Sequence, residues 1–190
     1  AAALANQIVG LDPSGKVTSV YAPSTLDLNE GDIAQPESLF FPSGNQENGE
    51  QVHSFFYPPT NANYQGLDNE LPLVIALCHG GPTGATDSGL NLKIQYWTSR
   101  GFAIIDINNR GSTGFGTTYR DKLKGQWGIA DTEGCIGAAK HLAECGAVDP
   151  SRLAIKGGSA GGFTTLCALT SSDVFAAGIS RYGVADLASL

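Results

Sequence analysis

The chain has 190 residues, 42% of them hydrophobic and only 15% charged, so it can build a packed core and is not a disordered polymer. Eleven Lys and Arg against 18 Asp and Glu give a net charge of −7, and no basic run offsets it, which argues against a general nucleic-acid binder. No apolar run approaches the ~18 residues of a membrane span and no signal-peptide pattern opens the chain, so no membrane partner is expected. Methionine is absent even at position 1, which leads us to expect a piece of a longer protein.

The first stretch, Ile8 to Val17, reads as strand, turn and strand about an Asp12-Pro13-Ser14-Gly15 type I turn. Val17 to Tyr21 alternates as a half-buried strand does. This β-rich stretch is too short to fold alone, and Ala34-Gln35-Pro36 is a natural boundary, dividing 1–35 from 36–190. Ser38–Phe41 and Val52–Tyr57 read as two strands joined by a polar hairpin loop over Pro42–Gln51.

The pattern then changes. Leu73–Cys78, Phe102–Ile107 and Leu153–Ile155 are short continuous apolar runs, as expected of strands buried on both faces, and Phe175–Ser180 is a fourth strand. Between them the spacing predicts helices over Leu90–Ser99, Asp131–Glu144 and Ala160–Thr170, the first two stopped by Gly101 and Gly146. Alternating β and α with buried strands predicts an α/β fold, a mostly parallel sheet with helices on both faces. The four cysteines show no C-x-x-C spacing and sit mostly in apolar segments, which predicts buried free thiols and a reducing, cytoplasmic compartment.

The strongest chemical signal is Gly157-Gly158-Ser159-Ala160-Gly161-Gly162, which follows a strand and opens a helix. That is the context of a nucleophile elbow, in which glycines make room around a serine on a tight turn. Ser159 is therefore the candidate nucleophile, with Gly157, Gly158 and Gly161 forming the elbow. A phosphate loop is excluded because no Lys-Ser/Thr pair follows the glycines. His79-Gly80-Gly81-Pro82 follows another buried strand and is a candidate oxyanion loop. Gly81 N–H and Ala160 N–H are the two expected donors, and His79 is expected to hold its own loop rather than act as base. The glycine-rich stretch Asn108–Gly116 lacks the dinucleotide-binding spacing. No cofactor and no metal are expected.

Taken together, His79–Pro82, Asn109–Gly116, Gln126-Trp127-Gly128 with Asp131, Gly157–Gly162 and Arg181-Tyr182-Gly183 resemble the catalytic domain of the prolyl oligopeptidase family of serine peptidases. The likeness is greatest to its acylaminoacyl-peptidase and dipeptidyl-aminopeptidase-like branch and covers about 36–190. It implies an α/β-hydrolase fold, a peptide substrate cleaved near its N-terminus, and an acyl-enzyme on Ser159. It also implies that residues 1–35 are the end of a β-propeller or a linker. One departure is Gly134, where the family often has an acid.

In this fold the triad runs Ser, then Asp or Glu, then His, but His53, His79 and His141 all precede Ser159. Asp173 is read as a loop residue and Asp186 as a helix cap. The Asp and His of the triad are thus expected beyond Leu190, the 190 residues alone are expected to be inactive, and the remaining C-terminal segment is an expected partner. A homo-oligomer stays open. Competing functions are an esterase or lipase on the same fold and a non-catalytic binding module; the intact elbow and loop speak against the second.

Overall fold

The apolar runs read from the sequence become neighbouring strands of one sheet. The computed structural model describes residues 5–22, 27–44 and 50–189. Part of the hairpin loop (45–49) and parts of the N-terminal stretch (1–4, 23–26) lie outside the described residues. The main sheet contains β3 (Glu37–Ser43), β4 (Glu50–Tyr57), β5 (Val74–Cys78), β6 (Ala103–Asn108), β7 (Leu153–Gly158) and β8 (Ala177–Arg181) in the spatial order β3-β4-β6-β5-β7-β8. β3, β4 and β6 pair antiparallel, and β6, β5, β7 and β8 run parallel.

Among the described residues four α-helices connect these strands: α1 (Leu92–Thr98), α2 (Thr117–Asp121), α3 (Ala130–Glu144) and α4 (Ala160–Ser171). The chain leaves β5 through α1 to reach β6 on one side, then returns through α2 and α3 to β7 on the other. α1 therefore covers one face and α3 the opposite face. Residue alternation along β6 serves both faces. Ile105 and Ile107 pack with Ala76, Ile155 and the α3 residues Cys135 and Ala138, while Ile104 packs with Ile75, Tyr57 and Ile94 of α1. All six β6 residues are buried, which is why its sequence shows a run rather than an alternation. The sense of winding reverses at β5, so the carboxyl ends of β5 and β7 open side by side into one crevice. Ligands of open α/β sheets bind at such a point.

Three details differ from the expectations. β1 (Ile8–Leu11) and β2 (Val17–Tyr21) form the expected antiparallel hairpin, with Gly15 N–H donating to the Asp12 carbonyl at 2.9 Å. Every residue of β2 is exposed, however, because no described element lies against either of its faces. β8 starts two residues later than read; Phe175 is buried ahead of it, and the strand itself is exposed along its length at the sheet edge. α2 has no counterpart in the sequence reading. It is five residues long and contains no buried side chain.

Gly134, the departure noted above, has a local reason. A Cβ there would come 3.2 Å from the Cβ of Asn109, so glycine lets α3 approach the loop after β6. The N-cap residue of α3, Ile129, makes no side-chain cap bond, but Asp131 ties the chain entering the helix to its first turn, its Oδ1 accepting from Gly128 N–H at 2.7 Å.

Candidate active site

Ser159 sits between the last residue of β7 and the first of α4, with φ 54° and ψ −122°. A non-glycine residue at positive φ costs on the order of 1–3 kcal/mol and persists only where its surroundings enforce it. Here they do. Ser159 N–H donates to the Arg181 carbonyl at 3.1 Å, and its own carbonyl accepts from Gly162 N–H at 3.0 Å. The turn is closed by backbone. A Cβ on Gly157 would lie 2.1 Å from the Gly161 carbonyl oxygen. One on Gly161 would lie 2.3 Å from that of Cys78 and 2.6 Å from that of His79. Gly158 lies against the ring of Tyr182, and Gly162 against Gly183. Arg181-Tyr182-Gly183 thus borders the elbow.

The same contacts bring the His79–Pro82 loop to Ser159. A Cβ on Gly80 would lie 3.8 Å from the Cβ of Ser159. Gly81 has φ 128°, and a Cβ there would strike the backbone nitrogens of Gly84 at 2.5 Å and Thr83 at 2.7 Å. The loop closes through Gly84 N–H to the Gly80 carbonyl at 3.2 Å. Among the described residues the N–H of Gly81 donates no hydrogen bond. The N–H of Ala160, in the first turn of α4, has no intrahelical acceptor. Two unused donors therefore belong to segments that converge on an exposed serine whose Oγ makes no helix-capping bond.

The three histidines are engaged elsewhere. His79 Nδ1 lies 2.9 Å from the Gly80 carbonyl and Nε2 lies 2.7 Å from Ser112 Oγ, and burial pushes the ring below its usual pKa. His53 is held by Ser38 Oγ and Asn108 Nδ2 among aromatic rings, and burial lowers it too. His141, on the last turn of α3, stacks on Phe41. Asp186 accepts from Ala188 N–H at 2.9 Å as a short 3-10 helix begins.

The sequence reading did not single out Asp106 as a functional group. It lies on β6, receives the Thr86 hydroxyl, and burial pushes its pKa up to about 6. It lines a cleft of about 330 Å³ that also borders Gly157, Gly158, His79 and Lys156. A charge inside the apolar run Phe102–Ile107 was the sequence signal for it. The four cysteines are unbridged; Cys78 and Cys135 are buried with their Sγ atoms 3.2 Å apart, whereas Cys145 is exposed. Among the described residues no helix is long and apolar enough to cross a membrane.

Residues 88–190 match the sequence model of the Prolyl oligopeptidase family. Dipeptidyl aminopeptidase BIII of Pseudoxanthomonas mexicana is 36% identical over 132 residues, 68% of this chain and 19% of that protein. Acylamino-acid-releasing enzyme of Arabidopsis thaliana is 36% identical over 118 residues, 62% of this chain and 15% of that protein. A puromycin-hydrolyzing peptidase of Mycobacterium tuberculosis superposes with a TM-score of 0.93 at 41% identity, covering 99% of this chain and 28% of its own. The chain thus spans between about a seventh and just over a quarter of the length of these relatives.

Proposed function

The chain belongs to the prolyl oligopeptidase family, and from that premise we propose that it carries the nucleophile half of a serine peptidase acting on oligopeptides. Its fold is that of the α/β-hydrolases. The observation that carries the proposal is the strained backbone of Ser159, enforced by glycine packing and flanked by the unused N–H groups of Gly81 and Ala160.

In the reaction we propose, Ser159 Oγ attacks the carbonyl carbon of the scissile peptide bond. The negative charge that forms on the carbonyl oxygen is taken up by Gly81 N–H and Ala160 N–H. One such donor is worth about 10²–10³ in turnover, because it is already oriented where charge develops. The Ser159 proton passes to a histidine and from it to the departing amine, leaving an acyl-enzyme that water then cleaves. With His53, His79 and His141 engaged as described, that histidine and the carboxylate that orients it come from outside these 190 residues. By the same reasoning the isolated chain lacks turnover.

The substrate class follows the relatives' names: removal of a dipeptide or an acylated amino acid from a peptide N-terminus. We read residues 1–35 as the end of a propeller or a linker and 36–190 as hydrolase. Four unbridged cysteines fit the reducing cytoplasm.

The test is active-site labelling of the full-length protein that contains this chain. A fluorophosphonate should modify Ser159, and Ser159→Ala should abolish both labelling and peptide turnover. Stoichiometric modification of Ser112 or Ser180 instead would sink the assignment. Turnover of p-nitrophenyl esters without any turnover of acyl-peptides would replace the peptidase with an esterase.

A further inference from the structure

The stretch Gln126–Asp131 carries no step of the chemistry above, yet it grips one side of the helix that begins at the nucleophile. The Trp127 ring meets the Phe163 ring at 5.1 Å, edge to face. Gly128 lies so close to Phe163 that a Cβ on it would sit 2.8 Å from the ring. Asp131, 2% exposed, spends both carboxylate oxygens here: Oδ1 accepts from Gly128 N–H at 2.7 Å and Oδ2 from Thr164 Oγ at 2.5 Å. Thr164 is 4% exposed and stands one turn after Ala160, whose carbonyl lies 3.2 Å from the same hydroxyl. A hydroxyl has one proton, and the shorter, charge-assisted bond to Asp131 takes it.

Backbone packing closes the turn before α4, but the first turn of the helix has no side-chain cap of its own. A serine at a helix N-cap ordinarily accepts from an N–H two or three residues on and so fixes the first turn. Ser159 makes no such bond. The next two helical positions after Ala160 are Gly161 and Gly162, which offer no side chain to pack. A buried carboxylate is costly to leave unpaired, so the Asp131–Thr164 pair holds its geometry closely.

We propose that Asp131 is a positioning residue for the reaction: through Thr164 it fixes the rotation of the first turn of α4, and with it Ser159 and the Ala160 N–H. The inference rests on Ser159 being the nucleophile. Asp131 does not touch the reacting atoms.

The experiment uses the full-length protein and normalises every rate to sites titrated with a fluorophosphonate, so that misfolded molecules do not count. Thr164→Val keeps the shape and removes the donor. It should lower kcat and the labelling rate constant together by about ten- to a hundredfold, as small misplacements of reacting groups do, with KM within about twofold. Thr164→Ser restores the hydroxyl and should return kcat to within about threefold of wild type. Asp131→Asn added to Thr164→Val should cost little more than Thr164→Val alone, because both break one bond. Should Thr164→Val fail to fold, Thr164→Ala is read by the same per-site rates. Wild-type kcat per titrated site in Thr164→Val or Thr164→Ala would overturn the inference, as would losses that add independently in the double variant. A wild-type protein that is never labelled at Ser159 would instead defeat the nucleophile assignment.

Discussion

The turn after β7 and the loop after β6 leave the same edge of one sheet, and a different kind of contact dominates in each. Around Ser159 the chain is fixed by backbone against backbone: Gly157 against Gly161, Gly161 against the carbonyls of Cys78 and His79, Gly162 against Gly183. The loop after β6 is fixed by side chains. Asn108 bonds both the N–H and the carbonyl of Thr86. Arg110 reaches Glu133 and the Ala130 carbonyl, and Ser112 reaches His79 and the Asn109 carbonyl. Packing of backbone fixes an atom with no side chain in the way, which suits a serine that must meet substrate. Polar side chains join segments that lie too far apart for that, and they bring titration and hydrogen-bond dependence with them.

The largest effect should come from adding one methyl group to the glycine-packed turn. In Gly161→Ala the new Cβ would stand 2.3 Å from the carbonyl oxygen of Cys78, the last residue of β5, and 2.6 Å from that of His79, the next residue. Neither is the tip of a flexible side chain, so β5 and α4 must separate. We expect a loss of about 3 kcal/mol or more, at the upper end of overpacking, together with loss of fluorophosphonate labelling. Thermal unfolding and labelling of the variant check both. A variant with an unchanged melting temperature would show that the turn is not held by backbone contact.

Much of this turn was legible in the sequence, because glycine spacing is a direct record of backbone crowding. β5 and β6 were legible for a related reason: burial on both faces leaves a run of apolar residues, whereas β7 alternates buried and half-buried positions and runs on to Gly158, three residues past the apolar stretch Leu153–Ile155. The side-chain-held features were not. Asp131 and Thr164 are 33 residues apart, and nothing local marks them as a pair. α2 is anchored by Tyr119, whose hydroxyl donates to the Asn108 carbonyl, and by Gly111 N–H bonding the Tyr119 carbonyl, rather than by an apolar stripe that periodicity could reveal. β2 misled because Val-Thr-Ser-Val-Tyr, rich in β-branched residues, favours a strand whether or not anything covers it, and its apolar residues at 17, 20 and 21 do not in fact fall on one face. The triad's base was limited more simply, since each histidine present has a structural partner.

The side-chain-held region should respond to pH where the glycine-packed turn does not. Asp106 is pushed up to about 6 from 3.8, chiefly by burial and further by the nearby Asp87 carboxylate, against the opposing Thr86 hydrogen bond. Between those two values the folded protein holds a proton that the unfolded chain has lost. This group's contribution therefore weakens stability progressively as pH rises from about 4 to about 6, and the penalty is complete at pH 7. At about 1.4 kcal/mol per unit the shift corresponds to about 3 kcal/mol. Asp106→Asn keeps an acceptor for Thr86 and cannot ionise. It should be more stable than wild type at pH 7 by about 2–3 kcal/mol, with the advantage fading towards pH 4. Melting curves of both proteins from pH 4 to 8 read the difference, and a constant offset across that range would show that Asp106 does not titrate as its burial implies.

The smallest expected effect tests whether side chains hold the oxyanion loop at all. His79 Nε2 and the Asn109 carbonyl both lie 2.7 Å from Ser112 Oγ, and Ser112 is fully buried. Ser112→Ala removes one oxygen, opens almost no space, and leaves the buried Asn109 carbonyl and the half-buried His79 ring without that partner. Stranding such a group costs about 1–3 kcal/mol, and we expect a stability loss near 1–2 kcal/mol. One backbone bond, Thr113 N–H to the Gly84 carbonyl at 3.2 Å, still joins the two loops, which limits the damage. The activity readout is more discriminating than stability. If His79 positions Gly81 through Ser112, kcat per titrated site should fall by about three- to tenfold, a fraction of what loss of a whole oxyanion donor costs, with KM little changed. Ser112→Thr, which keeps the hydroxyl but adds a methyl group to a buried site, should lose stability and keep more of kcat than Ser112→Ala. If both variants lost stability alike while kcat stayed at the wild-type value, the His79–Pro82 loop would be held by its own glycine turn, and backbone packing would govern both sides of the crevice.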